Sequence, residues 1–325
     1  MPDARTRGRT VPMTVSPARE LAESLYRAAV AGADPGVATA QAVAKIPSAR
    51  HQRLWLFSIG KAAHAMAAAA AATLQRSLLS IVGGIIVAPD DAPSPYATVL
   101  AVRGDHPVPG RNSFAAAVRV GEVAAGMKSN DLAIVLISGG ASSLIGAPLR
   151  GMSEADYSHL HEMLLGSGLD VREVNAVRKR FSRWGGGRLA LALAPAATYC
   201  LAISDVIGDD LSSIGSGPCV PDPYSVKDVI AILQRVNLYP RLASSFRDHL
   251  TGTQRGVVPE TPKRTHPAFA HVTARVIANN RVALDGAAAK AKELGIPTVT
   301  VADAALEGDA VAAGAALARA WLLDP

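Results

Sequence analysis

Residues 54–66, LWLFSIGKAAHAM, decide the fold class of this chain. The run 54–59 is apolar and contains aromatic residues, which predicts a buried strand, and the alanine-rich stretch that follows predicts a helix. A helix that starts at the end of a buried strand presents free backbone N–H groups to an anion. Lys61 stands in the first turn, where a cation opposes the helix dipole. We therefore predict that Lys61 binds a phosphate or carboxylate; the alternative is a solvated surface lysine.

The alternation of apolar runs and helical patterns continues along the chain. The predicted strands are 54–59, 81–89, 97–104, 131–138, 198–204, 271–279 and 297–303. The predicted helices that separate or follow them include 17–32, 34–45, 61–78, 113–126, 152–167, 171–183, 225–238, 280–294 and 309–322. Continuous apolar strands that alternate with helices are typical of a parallel sheet covered on both faces. The fold class is therefore α/β.

The pattern also predicts a domain organisation. Residues 1–15 are expected to be a disordered leader, and residues 16–250 a three-layer, Rossmann-like domain with a parallel sheet. The polar, proline-rich stretch 251–267 predicts a linker. Residues 268–325 are expected to form a partial second α/β domain, because two predicted strands are too few to cover their own apolar faces.

The composition limits which binding partners and which cellular location we expect. The net charge of +6 fits an anionic substrate, and the basic residues lack interleaved aromatic residues, so we predict no nucleic-acid partner. Cys200 and Cys219 form no CxxC pair, which argues against a thiolate zinc site and favours a reducing, cytoplasmic location. The longest uncharged apolar stretch, 189–203, contains Pro195 and is too short to cross a bilayer, so we predict no membrane contact.

A glycine- and serine-rich loop, 138–143 (SGGASS), follows the most continuous apolar strand. Its glycines let successive N–H groups converge on an anion, and its serine hydroxyls add donors. We predict a phosphate or nucleotide site here, together with the donor-rich turn 214–218; an ordinary strand–helix turn is the alternative. The residues assigned to this site are Ser138, Gly139, Gly140, Ser142, Ser143, Ser216 and Gly217.

Three carboxylates, Asp205, Asp209 and Asp210, follow the strand predicted at 198–204. Carboxylate oxygens suit Mg²⁺, and a triphosphate donor needs Mg²⁺ to bridge its oxygens. We predict a metal site at these residues. Ordinary turn chemistry is the alternative, since Asp and Gly dominate turns.

Two further segments carry candidates for substrate binding. In the loop 104–110, GDHPVPG, two prolines stiffen the chain and fix His106, as a substrate contact or as a capping histidine. Asn175 and Arg178 lie three residues apart on a predicted helix and share a face. Arg178 is suited to bidentate binding of a carboxylate or phosphate. For the basic cluster 178–180, a solvated helix face is the alternative.

Five ordered motifs resemble the glycerate 2-kinase family, the MOFRL-type glycerate kinases, whose relatives are sometimes labelled hydroxypyruvate reductase. The motifs are FSIGKAAHAMA (57–67), GDHPVPGRNSFAAA (104–117), LISGGASSLIGAP (136–148), NAVRKRFSRWGGGRLA (175–190) and SDVIGDDLSSIGSGPCVPDP (204–223). The resemblance implies two α/β domains and phosphorylation of D-glycerate at the 2-hydroxyl with ATP and Mg²⁺, giving 2-phosphoglycerate. It also implies a catalytic role for Lys61. The family pattern continues into a glycine-rich C-terminal segment, so we expect a shortened member.

Two other functions stay open. An NAD(P)H-dependent hydroxypyruvate or tartronate-semialdehyde reductase needs a dinucleotide fingerprint, and the G-x-G-x-x-A match at 185–190 follows a charged, helix-periodic segment instead of a strand. A truncated, inactive binding domain is the third hypothesis. For the kinase, glycerate is the expected partner, and a homodimer is left open.

Overall fold

A parallel sheet of six strands forms the centre of the fold. The computed structural model of the protein describes residues 17–47, 52–77, 79–296 and 310–323. The strands are β1 (Leu54–Ile59), β2 (Ile81–Ala88), β3 (Val99–Arg103), β4 (Leu132–Ile137), β5 (Ala197–Ile203) and β6 (Val272–Ala278). Their order is β3-β2-β1-β4-β5-β6, and all pairs are parallel. The predicted α/β class with a parallel sheet is confirmed, and the strand order reverses between β1 and β4, where such sheets bind ligands.

Helices within residues 34–280 connect the strands and cover both faces of the sheet. The helices in the described ranges are α1 (Pro17–Gly32), α2 (Pro35–Val43), α3 (Ala63–Arg76), α4 (Arg111–Ala125), α5 (Ala141–Leu144), α6 (Glu154–Leu165), α7 (Val171–Phe181), α8 (Arg188–Leu193), α9 (Val226–Arg235), α10 (Ser244–Gln254), α11 (Asn280–Glu293) and α12 (Ala310–Leu323). Asp170 is the N-cap of α7, and its side chain accepts a hydrogen bond from the Glu173 N–H at 2.9 Å.

The side chains of β4 show the three layers. One set of alternate residues packs in a buried cluster with α2 and α3, and the other set packs with α4 and with α6 to α10. The first set is Leu132, Ile134 and Leu136, and the second is Ala133, Val135 and Ile137. All six are buried, which explains why this strand is apolar at every position.

The last strand of the sheet differs from the predicted domain plan. Residues 272–278, placed by their sequence in a second domain, pair with β5 as the last strand of the described sheet. The segment 251–267 contains the end of α10 and the buried Thr261. Residues 34–280 form one compact unit, and the described parts of 1–33 and 281–325 form another. Alternation of apolar residues predicts a strand but does not identify the neighbour with which it pairs. For this reason the sequence pattern placed 272–278 in a second domain, whereas the structure pairs them with β5.

Three expectations concern segments that the structure leaves undescribed or tests only in part. The leader 1–15 and the strand predicted at 297–303 lie outside the described residues. Within the described ranges, no helix has both the length and the apolarity that crossing a bilayer requires.

A buried histidine predicts acid sensitivity of the fold. His161 on α6 is fully buried, and burial lowers its pKa to about 3. In the unfolded chain an ordinary histidine has a pKa of about 6.5, so below that pH protons bind the unfolded state preferentially. Stability from this group is therefore complete above pH 6.5 and is lost as the pH falls toward 3. At about 1.4 kcal/mol per pH unit, we expect a loss of roughly 2 kcal/mol between pH 6.5 and 5.

Urea denaturation of the protein and of His161→Leu at both pH values measures this loss. The variant should lose less unfolding free energy than the parent by about that amount. His159→Gln, at an exposed position of the same helix, controls for removal of a histidine. Equal pH dependence in the parent and in His161→Leu would contradict the assignment.

Candidate functional site

Hydrogen bonds join the loops that follow β1 and β4, at the carboxyl ends of these two neighbouring strands. The backbone N–H of Lys61 donates to the Gly139 carbonyl at 2.9 Å, and the Ala62 N–H donates to the Ser138 hydroxyl at 3.0 Å. Gly60 has φ of 136°, and a Cβ there would lie 2.1 Å from the Ser138 Oγ. Only glycine fits such a position. The tight exit from β1 thus places Lys61 directly beside the glycine pair of the second loop.

Three polar side chains surround Gly139 and Gly140. A Cβ on Gly140 would lie 2.9 Å from the His106 Cδ2 and 3.4 Å from the Lys61 Cε. A Cβ on Gly139 would lie 2.3 Å from the Asp205 Oδ2. All three residues are exposed, and the N–H groups of both glycines donate to no described residue. The structure therefore brings together a lysine, a histidine, a carboxylate and two available amides.

His106 is held from both sides of its loop. The Asp105 carboxylate accepts the N–H of Asn112 at 2.8 Å and caps the start of α4. The Ser143 hydroxyl donates to the Pro107 carbonyl at 2.5 Å. Partial burial, followed by the charges of Lys61 and Arg178, lowers the pKa of His106, while Asp205 opposes them. His106 is thus neutral at neutral pH, between two cations.

Arg178 is half-buried and forms no ion pair with a carboxylate of the described residues. Its Nε and Nη2 are enclosed and find no hydrogen-bond partner among the described residues, and burial lowers its pKa. A buried, unpaired guanidinium is costly unless an anion or another polar group satisfies it. Because its charge also lowers the pKa of His106, Arg178 acts on the histidine that lies against Gly140.

The predicted hydroxyl donors are mostly engaged within the protein. The hydroxyls of Ser142 and Ser216 lie 2.7 Å apart, and the Ser216 hydroxyl donates to the Asn175 Oδ1 at 2.9 Å. The Asn175 amide nitrogen donates to the Val171 carbonyl at 2.9 Å. Both ends of the buried Asn175 amide are therefore used, and Asn175 joins two loops to α7 instead of reaching outward.

The three predicted metal ligands are not brought together. Asp210 accepts the Ser212 N–H at 2.9 Å and the hydroxyls of Ser212 and Ser213 at 2.8 and 2.7 Å, and these bonds outweigh burial and lower its pKa. Asp209 accepts from the Asn279 amide. No three His, Cys, Asp or Glu residues in the described ranges are grouped as a metal site. Turn chemistry thus accounts for Asp210, and Asp205 alone faces the glycine pair.

One carboxylate is nevertheless enough for the predicted cation. Mg²⁺ that accompanies a nucleotide is usually bound by one or two carboxylates and the phosphate oxygens. Asp205 fits that role, since it is exposed and lies against Gly139.

The basic cluster 178–180 is not a solvated face. Lys179 and Arg180 are fully buried and pair with Asp222 and Glu260, respectively. No spacing in the sequence links these partners to the helix, so sequence reasoning missed them.

The glycine run that formally matches a dinucleotide fingerprint has another role. The N–H groups of Gly186 and Gly187 donate to the carbonyls of Ser216 and Gly217, each at 2.8 Å. The run follows α7 instead of a strand, so the context of a dinucleotide site is missing. It supports the turn that contains Ser216.

Comparisons with known proteins agree with this architecture. Residues 21–251 match the family model described as the domain of unknown function DUF4147. A protein of Agrobacterium vitis whose name assigns it provisionally to hydroxypyruvate reductase is 37% identical over 301 residues, which are 93% of this chain and 65% of that protein. The glycerate 2-kinase of Pyrococcus horikoshii is 32% identical over 262 residues, 81% of this chain and 57% of that one.

A solved structure of a glycerate kinase is also similar to this chain in sequence and in fold. The crystal structure of a glycerate kinase from Thermotoga maritima matches with a TM-score of 0.71 and 32% identity, over 85% of this chain and 62% of that chain. The chain thus covers less than two thirds of the length of each of these three relatives. Because the family model matches most of the chain, the protein belongs to the DUF4147 family, and its predicted resemblance to the glycerate 2-kinase family is confirmed.

Proposed function

We propose that this protein phosphorylates D-glycerate at the 2-hydroxyl, with ATP and Mg²⁺, to give 2-phosphoglycerate. The observation that carries the proposal is the group of Lys61, His106 and Asp205 around the glycine pair 139–140. The kinase names of two relatives support the same reaction class. A site of this composition binds anions, and phosphoryl transfer depends mainly on positioning and electrostatic stabilisation.

Lys61 and the free amides carry the phosphate side of the proposal. The Lys61 ammonium and the N–H groups of Gly139 and Gly140 stabilise the negative charge on the transferring group. Asp205 holds Mg²⁺, which neutralises charge on the phosphate oxygens when it is bound. Ser142 and Ser216 keep the loop in shape through their mutual hydrogen bond.

In this proposal Arg178 and His106 bind glycerate. The guanidinium of Arg178 lacks an acidic partner among the described residues, and a substrate carboxylate supplies one. His106 is neutral because its pKa is lowered, so one ring nitrogen is available to accept a hydrogen bond from a substrate hydroxyl. The substrate carboxylate and the reacting hydroxyl are thus oriented by two separate residues.

The reductase is the second candidate, because a relative at 37% identity carries that name. The glycine run 185–190 does not follow a strand, which disfavours a dinucleotide site there.

Two parallel assays separate the candidates. The protein is incubated with ATP, Mg²⁺ and D-glycerate, with ADP release followed and the phosphorylated product identified by ³¹P NMR. It is incubated separately with NADH and hydroxypyruvate, with absorbance followed at the NADH band. We expect ADP and 2-phosphoglycerate in the first assay and no oxidation in the second. NADH oxidation without ADP release would establish the reductase, and ATP binding without turnover in either assay would establish a binding domain.

A further inference from the structure

Two residues of α7 hold one turn of the site at both of its ends. We call residues 212–216 the hinge turn. The Lys179 Nζ donates to the Ser212 carbonyl at 3.0 Å, and the Asn175 Oδ1 accepts the Ser216 hydroxyl at 2.9 Å. Asn175 and Lys179 are four residues apart and share a helix face. The Ser216 hydroxyl also lies 2.7 Å from that of Ser142, so a hydrogen bond couples the position of the hinge turn to that of the loop 138–143.

Lys179 makes this contact from inside the protein. Its side chain is fully buried, and its Nζ lies 3.0 Å from the Asp222 Oδ1. Burial lowers the pKa of Lys179, and the Asp222 carboxylate opposes that effect. A buried ammonium group is tolerated when an anion and further hydrogen bonds satisfy it. The ion pair therefore favours the charged form of Lys179 at the place where it contacts the hinge turn.

Asp222 is itself held by a distant segment. The Thr261 hydroxyl donates to the Asp222 Oδ2 at 2.7 Å, and the Lys263 Nζ donates to the Asp222 carbonyl at 3.1 Å. Thr261 and Lys263 belong to the stretch predicted as a linker. That stretch thus takes part in fixing the carboxylate that orients Lys179.

A buried carboxylate outside this network offers a control. Asp131, which precedes β4, is buried and accepts hydrogen bonds from the Trp55 Nε1 and the Lys128 N–H, each at 2.8 Å. Its Oδ1 lies 3.5 Å from the Arg53 Nε. Because these contacts do not involve Lys179, Asp222 or the hinge turn, Asp131→Asn is the control for loss of a buried charge elsewhere.

We infer that Lys179, oriented by Asp222, is a positioning residue of the proposed kinase site. It fixes the hinge turn and, through Ser216 and Ser142, the loop that cradles the phosphates, without touching the substrate. The inference rests on the proposed function for its kinetic consequence, but its structural consequence is independent of any reaction.

Hydrogen exchange in the ligand-free protein tests the structural part. The amides of Ser213, Ile214, Ser216 and Gly217 each donate to a carbonyl within residues 210–214. In Lys179→Met we expect these amides to exchange at least about tenfold faster, because the turn loses a contact at one end. In Asp131→Asn they should exchange at the parental rate. Equal rates in the parent and in Lys179→Met, or equal acceleration in both variants, would overturn the inference.

Kinetics test the functional part. Lys179→Met is expected to lower kcat/KM for ATP by about a hundredfold, the cost of misplacing a binding group by about 1 Å. Asp222→Asn, which keeps the side-chain size, should act in the same direction and takes the place of Lys179→Met in both measurements if that variant does not fold. Asp131→Asn should keep the parental value. An unchanged kcat/KM alongside accelerated exchange would overturn the positioning role. An inactive parent protein would refute the proposed function. In that case the hydrogen-exchange result would still decide whether Lys179 fixes the hinge turn.

Discussion

Replacing Lys61 by alanine should lower kcat for glycerate phosphorylation by about a thousandfold, as expected for a group that stabilises transition-state charge. Lys61 is exposed, and its ammonium group contacts no carboxylate within the described residues. Its removal should therefore change the free energy of unfolding by no more than about 0.5 kcal/mol. Rates of ADP release and thermal unfolding curves of the same samples measure the two effects.

Lys227→Ala is the matched control for this experiment. Lys227 is likewise an exposed lysine near the start of a helix, in the first turn of α9, and it lies outside the proposed site, whereas Lys61 stands two residues before α3. The control should keep the parental kcat. Near-parental turnover in Lys61→Ala would remove Lys61 from the mechanism.

Arg178→Met should separate binding from stability. Loss of the guanidinium should raise the KM for glycerate by about a hundredfold, in the range of a charge-assisted bidentate contact. The same change removes a half-buried cation whose Nε and Nη2 are enclosed and have no hydrogen-bond partner among the described residues. Replacing an uncompensated buried charge by an apolar side chain is often neutral or stabilising, so Tm should stay constant or rise.

Steady-state kinetics with each substrate varied, combined with thermal unfolding, check this expectation. The exposed Arg150, replaced by Met, is the control and should change neither KM nor Tm. A lower Tm with an unchanged KM for glycerate would show that Arg178 serves the fold alone.

The sequence predicts the sheet and the central part of the site well. The six strands of the described sheet appear in the apolar runs, and β1 and β4 are neighbours. Residues that directly follow neighbouring parallel strands must meet at one edge. This explains why Lys61 and the loop 138–143 are found together.

Side-chain direction limits the prediction for the carboxylates. The spacing of Asp205, Asp209 and Asp210 places three acids after one strand, but their directions depend on the turn. The Asp210 carboxylate points to the amide and hydroxyls that follow it, because they offer three short hydrogen bonds. Asp205 is left to face Gly139.

Long-range charge pairing cannot be read from the pattern at all. Lys179 and Asp222 are 43 residues apart, by their numbers, and Arg180 and Glu260 are 80 apart. Both acids lie in proline-rich stretches without periodicity, so nothing local marks them as partners of a helix. Only the packing of α7 against these stretches reveals that the basic cluster is buried.

A crystal structure of the protein with a non-hydrolysable ATP analogue, Mg²⁺ and D-glycerate would decide whether the proposed site binds both substrates. We expect the terminal phosphate within hydrogen-bond distance of the Lys61 Nζ and of the N–H groups of Gly139 and Gly140, with the glycerate carboxylate at Arg178. Phosphates bound elsewhere on the protein, with Lys61 free of contact to them, would contradict it.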